Sequence, residues 1–431
     1  MATEVSVLDK DGDVTYYSNY ADATTDIINS EIEHPLVQIW ADLDEQIILL
    51  DGVDIWIAPG VTISNSSGDT ITDNNVAVKC NISGYGKLTQ TSTSFYAVCN
   101  FTNSNSKVSV KCDIIENESA GQACVSSSAK KFHLECNLVY GKSHGAVYLN
   151  NNNSDDININ AEKVITGQIT ELSSGTTAII SRGNGFIHVN EILCRNLGHC
   201  LSHREGEITA NIKKLTTKMN IANAIAAVHL DQGTGTQKLI LYFDEILNFN
   251  GSFNSGIGIY LHEGKGIFIG RRVYSENEEG VDISGDNTKG YIKINEIISL
   301  NKAAIRSFSN NEQLIIDSDY IVGFGFTGSV YIQDDANLLL KNAKIINTDD
   351  TSDSKCIVLE KPDTLLPNLT LNNVKAVTGN TSIGTIIFQA GFTGISIKNY
   401  GFFANKSLDT GISLVIGDSS NFFFIVSTDL T

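Results

Sequence analysis

The sequence predicts an all-β solenoid of about fourteen short coils, closed at its N-terminal end by one short helix. Three observations predict it. Apolar-x-apolar triplets recur every 21 to 31 residues, about 26 on average, from Val108 to Phe424. Each triplet is flanked by further short apolar segments, with Asn, Asp and Gly as the turn formers between them. The 431 residues include only 4 Pro, 2 Met and 2 Trp, with 36 Gly and 18% charged residues, a uniformity that suits one design reused many times better than several unlike domains.

Taken in chain order, the helix comes first. Ser18 or Asn19 caps it, Asp22 sits in its first turn, and Tyr20, Ala23, Ile27, Ile28 and Ile32 recur at helical spacing over 20–32 before His34-Pro35 stops it. β-Branched runs follow at 37–43, 46–58 and 61–64, broken by Asp51-Gly52 and Pro59-Gly60. Residues 1–60 therefore read as an N-terminal cap and 61–431 as a repetitive shaft.

The shaft opens with Val76-Ala77-Val78, Val108-Ser109-Val110, Phe132-His133-Leu134 and Ile157-Asn158-Ile159, and the pattern runs on to Ile395-Ser396-Ile397 and Phe422-Phe423-Phe424. A second segment follows each triplet, as at Val164-Ile165, Ile192-Leu193, Ile246-Leu247 and Ile297-Ile298. Asn160, Asn190, Asn211, Asn295, Asn342 and Asn372 occupy the junction, with Gly270 and Asp317 as variants, residues that tolerate left-handed or sharply bent backbone. A third segment precedes each triplet, at 146–150, 177–181, 257–261, 303–307, 329–333 and 385–389. Strands this short cannot bury their inward residues alone. Stacking each coil on the previous one solves that, giving three parallel sheets around a shared core, with length variation confined to the turns. At about 4.8 Å per coil, roughly fourteen coils would span about 65 Å.

These residues resemble the right-handed parallel β-helix superfamily, the group of pectate-lyase-like enzymes and phage tailspikes. The resemblance covers nearly the whole chain: the helix at 20–32, the first coils around Val53 to Ser64, and Asn-rich junctions similar to the asparagine ladder of such helices. It implies a single-stranded right-handed parallel β-helix. It does not imply a particular chemistry, because the Trp-Ile-Asp-His stretch of pectate lyases and the Asn-Thr-Asp, Asp-Asp and Gly-His-Gly elements of polygalacturonases are missing. The nearest fragments, Leu197-Gly198-His199 and Gly285-Asp286-Asn287, lack the required neighbours.

The charge balance is 30 Lys+Arg against 49 Asp+Glu, a net charge of −19. An acidic surface repels phosphate backbones and anionic membranes, so neither nucleic acid nor membrane is expected as a partner. The start of the chain shows no basic and apolar export pattern, and no apolar run is long enough to span a bilayer. Cys112 and Cys136 are 24 residues apart and Cys99 and Cys124 are 25 apart, so each pair is expected at one place in adjacent coils, as reduced core thiols.

Aligning strand ends gives a candidate site. Ser181-Arg182, His203-Arg204, Leu230-Asp231 and His262-Glu263 fall in register, so Arg182, Arg204, Asp231 and Glu263, with His262 beside them, are expected to form an exposed column about 5 Å per step. Asp231 and Glu263 at that spacing would suit a retaining glycosidase pair. A solvated charge ladder accounts for the same residues more simply, and no residue is assigned a catalytic role. Cys194, His199, Cys200 and His203 invite a zinc reading, but they fall on separate elements, so no metal or other cofactor is expected. The acidic clusters at Glu276, Glu278, Glu279 and Asp282, at Asp334-Asp335 and at Asp349-Asp350 read as solvated turns. Phe402, Phe403, Phe422, Phe423 and Phe424 crowd the C-terminal end, where a second subunit would cover them, and the resemblance implies a trimer.

The functional expectation is a structural protein on the virion surface of a tailed bacteriophage, a head fibre or tailspike-like decoration contacting other virion proteins and a host surface glycan. The alternative is a polysaccharide lyase or glycoside hydrolase of the same fold.

Overall fold

The computed structural model describes residues 4–378 apart from 93, 119–121, 143–144, 151–154, 168–176, 196–197, 220–225, 232–236, 251–255, 286–287, 309–312, 326–327, 334–336, 350–355, 361–367 and 373; beyond 378 it describes the backbone of five short strands. The chain is a parallel β-solenoid of about ten turns with very little helix, somewhat fewer turns than the triplets suggested. It divides into two compact units, Met1–Ile212 and Lys213–Thr431. Among the described residues no helix is long and apolar enough to cross a membrane.

The first unit begins with three antiparallel strands, Val5–Leu8 between Val14–Tyr17 and Leu36–Ile39. The helix Tyr20–Ser30 follows the hairpin. Asn19 caps it, its Oδ1 accepting from the Asp22 N–H at 2.7 Å, and Glu31 ends it in a left-handed conformation. Tyr20, Ala23 and Ile27 are buried, but Ile28, expected on the same stripe, is 61% exposed: the helix uses one narrow face. The Tyr20 hydroxyl donates to the Ile48 carbonyl at 2.9 Å, tying the helix to the second coil.

Parallel pairing starts at Leu36–Ile39, which lies on Asp54–Ile57, which lies on Lys79–Gly84. Thr62–Asn65 and Lys87–Gln90 form a parallel neighbour pair. Both rows then meet on a single strand, Lys107–Asn117, followed by Lys131–Gly141, Asp156–Thr166 and Gly185–Cys194 in register. Three strands per coil were expected. Here the triplet and the segment after it are one continuous bent strand, because the ladder resumes after a single unmatched junction residue, Asp113 opposite Asn137. The second unit repeats this in Lys238–Asn250, Lys265–Ser275 and Lys289–Ser299, then splits into Gln313–Asp317 and Tyr320–Gly323, and Asn337–Lys341 and Lys344–Asn347. Where the bend is sharp the junction residue is left-handed, as at Asn342 with φ 55°.

A second sheet of short strands closes the coils of each unit. In the first it runs Ile47–Ile48, Ile71–Thr72, Cys99–Phe101, Val125–Ser127, Val147–Leu149, Ile179–Arg182 and Leu201–Glu205; in the second it runs Ala226–Leu230, Ile257–Leu261, Val281–Ile283, Ile305–Ser307, Val330–Gln333 and Ile357–Glu360. Alternation puts one residue in two inward, so the core is layered: Phe101 from the short sheet meets Phe132 from the long one at 5.9 Å. Cys112 and Cys136 are in register, with Sγ atoms 3.9 Å apart. Cys99 pairs with Val125 instead, leaving Cys124 one residue short of the expected stack. All eight Cys are free and buried, and burial pushes the Cys80 thiol up to about 12, so Cys80 is not a reactive thiolate at neutral pH.

The polar ladder does not sit at the Asn160/Asn190 junction. Asn160 lies opposite His188, two residues before Asn190. The stacked polar residues occupy the end of the long strand, where Asn65, Gln90 and Asn117 are in register in the first unit, and Asn248, Ser275 and Ser299 in the second. There each satisfies carbonyls of the turn: Asn117 Nδ2 donates to Tyr96 O, Gln122 O and Ala123 O at 3.1, 3.1 and 3.2 Å. Asn117→Ala leaves these carbonyls, the buried one of Ala123 above all, without their donor and is expected to cost about 2 kcal/mol, measurable by chemical denaturation. The C-terminal Phe side chains lie outside the described residues.

Candidate functional site

The short-strand sheet of the second unit presents the most developed array of side chains. Register sets His229 beside Tyr260, Tyr260 beside Asp282, Asp282 beside Arg306 and Arg306 beside Tyr331, one outward residue per coil. Two residues on, His262, Ser284 and Phe308 form a second row. The His229 ring stacks on Tyr260 at 4.9 Å, and His262 lies 5.6 Å from the same ring. Ser284 Oγ donates to the Tyr260 oxygen at 2.8 Å.

Arg306 organises the middle of the face. Its Nε and Nη2 fork onto Asp282 at 3.2 and 2.5 Å, Nη1 reaches Glu279 Oε1 at 3.0 Å, and the guanidinium lies over Phe308 at 4.5 Å. Phe308 in turn meets Tyr331 edge-on at 5.9 Å. The acidic turn at 276–279 was expected to be solvated. It is not: Glu278, Glu279 and Asp282 are 8%, 2% and 1% exposed. The turn folds inward because its backbone is tied down, Ser299 Oγ donating to Glu278 O at 2.7 Å and the Gly258 N–H to Glu279 O at 3.1 Å.

That burial decides the electrostatics. It pushes Glu279 up to about 7, overcoming the pull of Arg306 and reinforced by Glu278, so the carboxyl holds a proton close to neutral pH. Burial raises Asp282 as well, against the Arg306 guanidinium. Arg306 is disfavoured by its own burial, yet Asp282 and Glu279 hold it charged. Arg306 serves Glu279 and Asp282, while Lys302 Nζ lies 3.9 Å from Glu278 Oε2.

Asp231, His262 and Glu263 border this face. Leu230 pairs with Leu261, which sets Asp231 opposite His262 and leaves Glu263 one residue farther on, so the two carboxylates are staggered instead of directly stacked. Asp231 Oδ1 is 3.8 Å from His229 Nε2, and its backbone carbonyl accepts from Gln237 Nε2 at 2.7 Å. Arg182 and Arg204 belong to the first unit. Ser181 pairs with His203 as expected, but a bulge then sets Arg182 opposite Glu205, skipping Arg204; Arg182 Nη1 donates to Asn150 Oδ1 at 3.0 Å.

His203 is buried. Its Nε2 faces the Gly206 carbonyl at 3.0 Å and must donate there, which leaves Nδ1 to accept from the Ser181 hydroxyl at 3.0 Å; burial lowers its pKa. Cys194 and Cys200 point at the Gly198 and Ile192 carbonyls. Among the described residues no three His, Cys, Asp or Glu side chains gather as metal ligands would. Asp349 is buried, while Asp334, Asp335 and Asp350 lie outside the described residues. The first unit has a groove of about 310 Å³ beside Lys111, Glu135, Glu162 and Asn190, but these pair with one another, Lys111 with Glu135 at 2.7 Å and Asn190 with Glu162.

Strand ends suggested Asp231 and Glu263; strand centres carried Tyr260, Arg306 and Tyr331. The signal was present in the segments 257–261, 303–307 and 329–333, whose penultimate or central outward residues line up when register is counted from the buried Ile259, Ile305 and Val330. The chain matches no protein-family model, and no curated protein or solved structure matches it significantly.

Proposed function

We propose that the chain is a glycan-binding β-solenoid of the pectate-lyase-like superfamily, displayed on the virion surface of a tailed bacteriophage as a head fibre or tailspike-like decoration. The observation that carries glycan binding is the aromatic and carboxyl face of the second unit, where Tyr260, Phe308 and Tyr331 are partly exposed and fixed by Ser284, Arg306 and one another. Aromatic faces take the C–H face of a sugar ring, and neighbouring His, Ser and Asp side chains take its hydroxyls. The repeat's similarity to tailspikes supports the phage assignment and a trimer bound to other virion proteins.

Calorimetry with host surface oligosaccharides tests the reading. Tyr260→Ala and Tyr331→Ala are expected to weaken binding about tenfold each, with Tyr85→Ala in the first unit as an unaffected control. Failure of the wild type to bind any bacterial surface glycan defeats it. A polysaccharide-degrading activity is favoured by one observation, the Glu279 proton held near neutral pH. Against it, Glu279 is 2% exposed and engaged with Arg306, so binding is the stronger reading. Release of reducing ends that Glu279→Gln or Asp231→Asn abolishes would reverse that order.

A further inference from the structure

The charges on the short-strand face of the second unit are paired with one another. Arg306 forks onto Asp282 and reaches Glu279, Lys302 faces Glu278, and Asp231 Oδ1 is 3.8 Å from His229 Nε2. A ligand carboxylate, sulfate or phosphate laid on this face would compete with Asp282 and Glu279 for the same guanidinium, and the net charge of −19 adds to its repulsion. A ligand ammonium meets the reverse difficulty. The carboxyl groups it would seek are held by Arg306 and Lys302, and Glu279 and Asp282 are 2% and 1% exposed.

The groups that remain are uncharged. Ser284 Oγ donates to the Tyr260 oxygen, which leaves the phenol proton to be given to a ligand. Gln333 follows Ile332, which pairs with Ser307, so its amide lies beside Phe308 in the row that also holds Ser284. Hydroxyl and amide groups both give and accept hydrogen bonds, as sugar hydroxyls do. Register also sets a length. Tyr260 and Tyr331 occupy one row with Asp282 and Arg306 between them, three coil steps or about 14 Å apart along the stacking direction of this unit. A pyranose residue in an extended chain advances by about one such step.

We infer that this face selects an uncharged oligosaccharide of about three sugar residues, laid along the stacking direction of the coils, with one end ring on Tyr260 and the other on Tyr331. The inference rests on the glycan-binding reading above and adds to it the charge, length and direction of the ligand. A sugar chain laid across the coils would meet only one of the two tyrosines, because each coil contributes a single residue to the row. Laid along them, it meets both rings and passes over Asp282 and Arg306, whose fork is already closed and needs no charge from the ligand.

The test applies the labelled full chain to an array of bacterial surface polysaccharides of known repeat unit, at roughly 50 and 200 mM salt. Some repeats hold only uncharged sugars, some carry uronate or phosphate, and some carry free amines. The expected signal is on uncharged repeats and changes less than about twofold with salt, because no ion pair forms with the ligand. Oligomers cut from a bound polysaccharide are then compared by calorimetry. Affinity is expected to rise about tenfold from two sugar residues to three and to level off beyond that, and in Tyr331→Ala the rise should vanish. Signal confined to acidic or amine-bearing repeats, uncharged binding that falls about tenfold with salt, or a length gain that Tyr331→Ala leaves intact each overturns the inference while glycan binding stands. No signal on any repeat removes that reading as well. The array uses the unaltered chain, so it decides the charge class even where Tyr331→Ala fails to fold.

Discussion

Arg306→Ala is expected to destabilise the coils around it by about 3 to 5 kcal/mol, the usual consequence of removing one partner from a buried ionic network. Asp282 and Glu279, 1% and 2% exposed, would lose the guanidinium that lies 2.5 and 3.0 Å from them. Part of the loss would be relieved by protonation of Asp282. Hydrogen exchange at the amides of Val281–Ile283 and Ile305–Ser307 reads the effect where it occurs, because a solenoid communicates mainly between adjacent coils. Arg306→Lys should recover little: an ammonium cannot fork onto Asp282, reach Glu279 and cover Phe308 together. Unchanged protection in Arg306→Ala would mean that apolar packing alone holds this region.

The second large effect is on pH. The folded state holds the Glu279 proton up to about 7, whereas the unfolded chain releases it near 4.5. Folded protein therefore binds more protons between those values, and stability falls as pH rises through the window: the contribution is fully present below 4.5 and gone above about 7. The size is roughly 3 kcal/mol for a shift of this extent in a buried group. Glu279→Gln should remove that slope, because the amide stays neutral at every pH. His203 in the first unit works in the opposite sense. Its pKa is lowered by burial, so its contribution is present above the unfolded value of 6.5 and is lost as pH falls through the lower folded value. Unfolding followed between pH 4 and 8 should show the opposing slopes in the two units, and a flat profile for the strands at Val281–Ile283 would refute the protonated Glu279.

Periodicity alone revealed the coil. Residues such as Ile157, Ile159, Ile187 and Val189 are buried as their alternation required, and Cys112 lies on Cys136 as their spacing required. Strand continuity was harder to read. A polar residue at the junction signals a bend, yet one unmatched residue such as Asp113 bends a strand without ending it, and two expected strands become one. The polar ladder was misplaced for a related reason: Asn is common at exposed junctions, while the stacked position accepts Asn, Gln or Ser, any group that can reach a turn carbonyl, so no single letter marks it. The burial of Glu278, Glu279 and Asp282 was illegible, because acidic letters in a turn look solvated until the Lys302 and Arg306 that pair with them are brought beside them by the next coil.

Register in this chain is also a form of addressing. Each coil contributes one outward letter to each row, and the rows at Tyr260, Asp282, Arg306 and Tyr331 and at Lys238, Lys265 and Lys289 are spelled by different positions of the same repeat. Duplicating or deleting a whole coil would lengthen or shorten every row by one letter while leaving the others in frame, whereas an insertion of one residue inside a strand would scramble all of them from that point. The fold can thus change its surface vocabulary coil by coil without renegotiating its core.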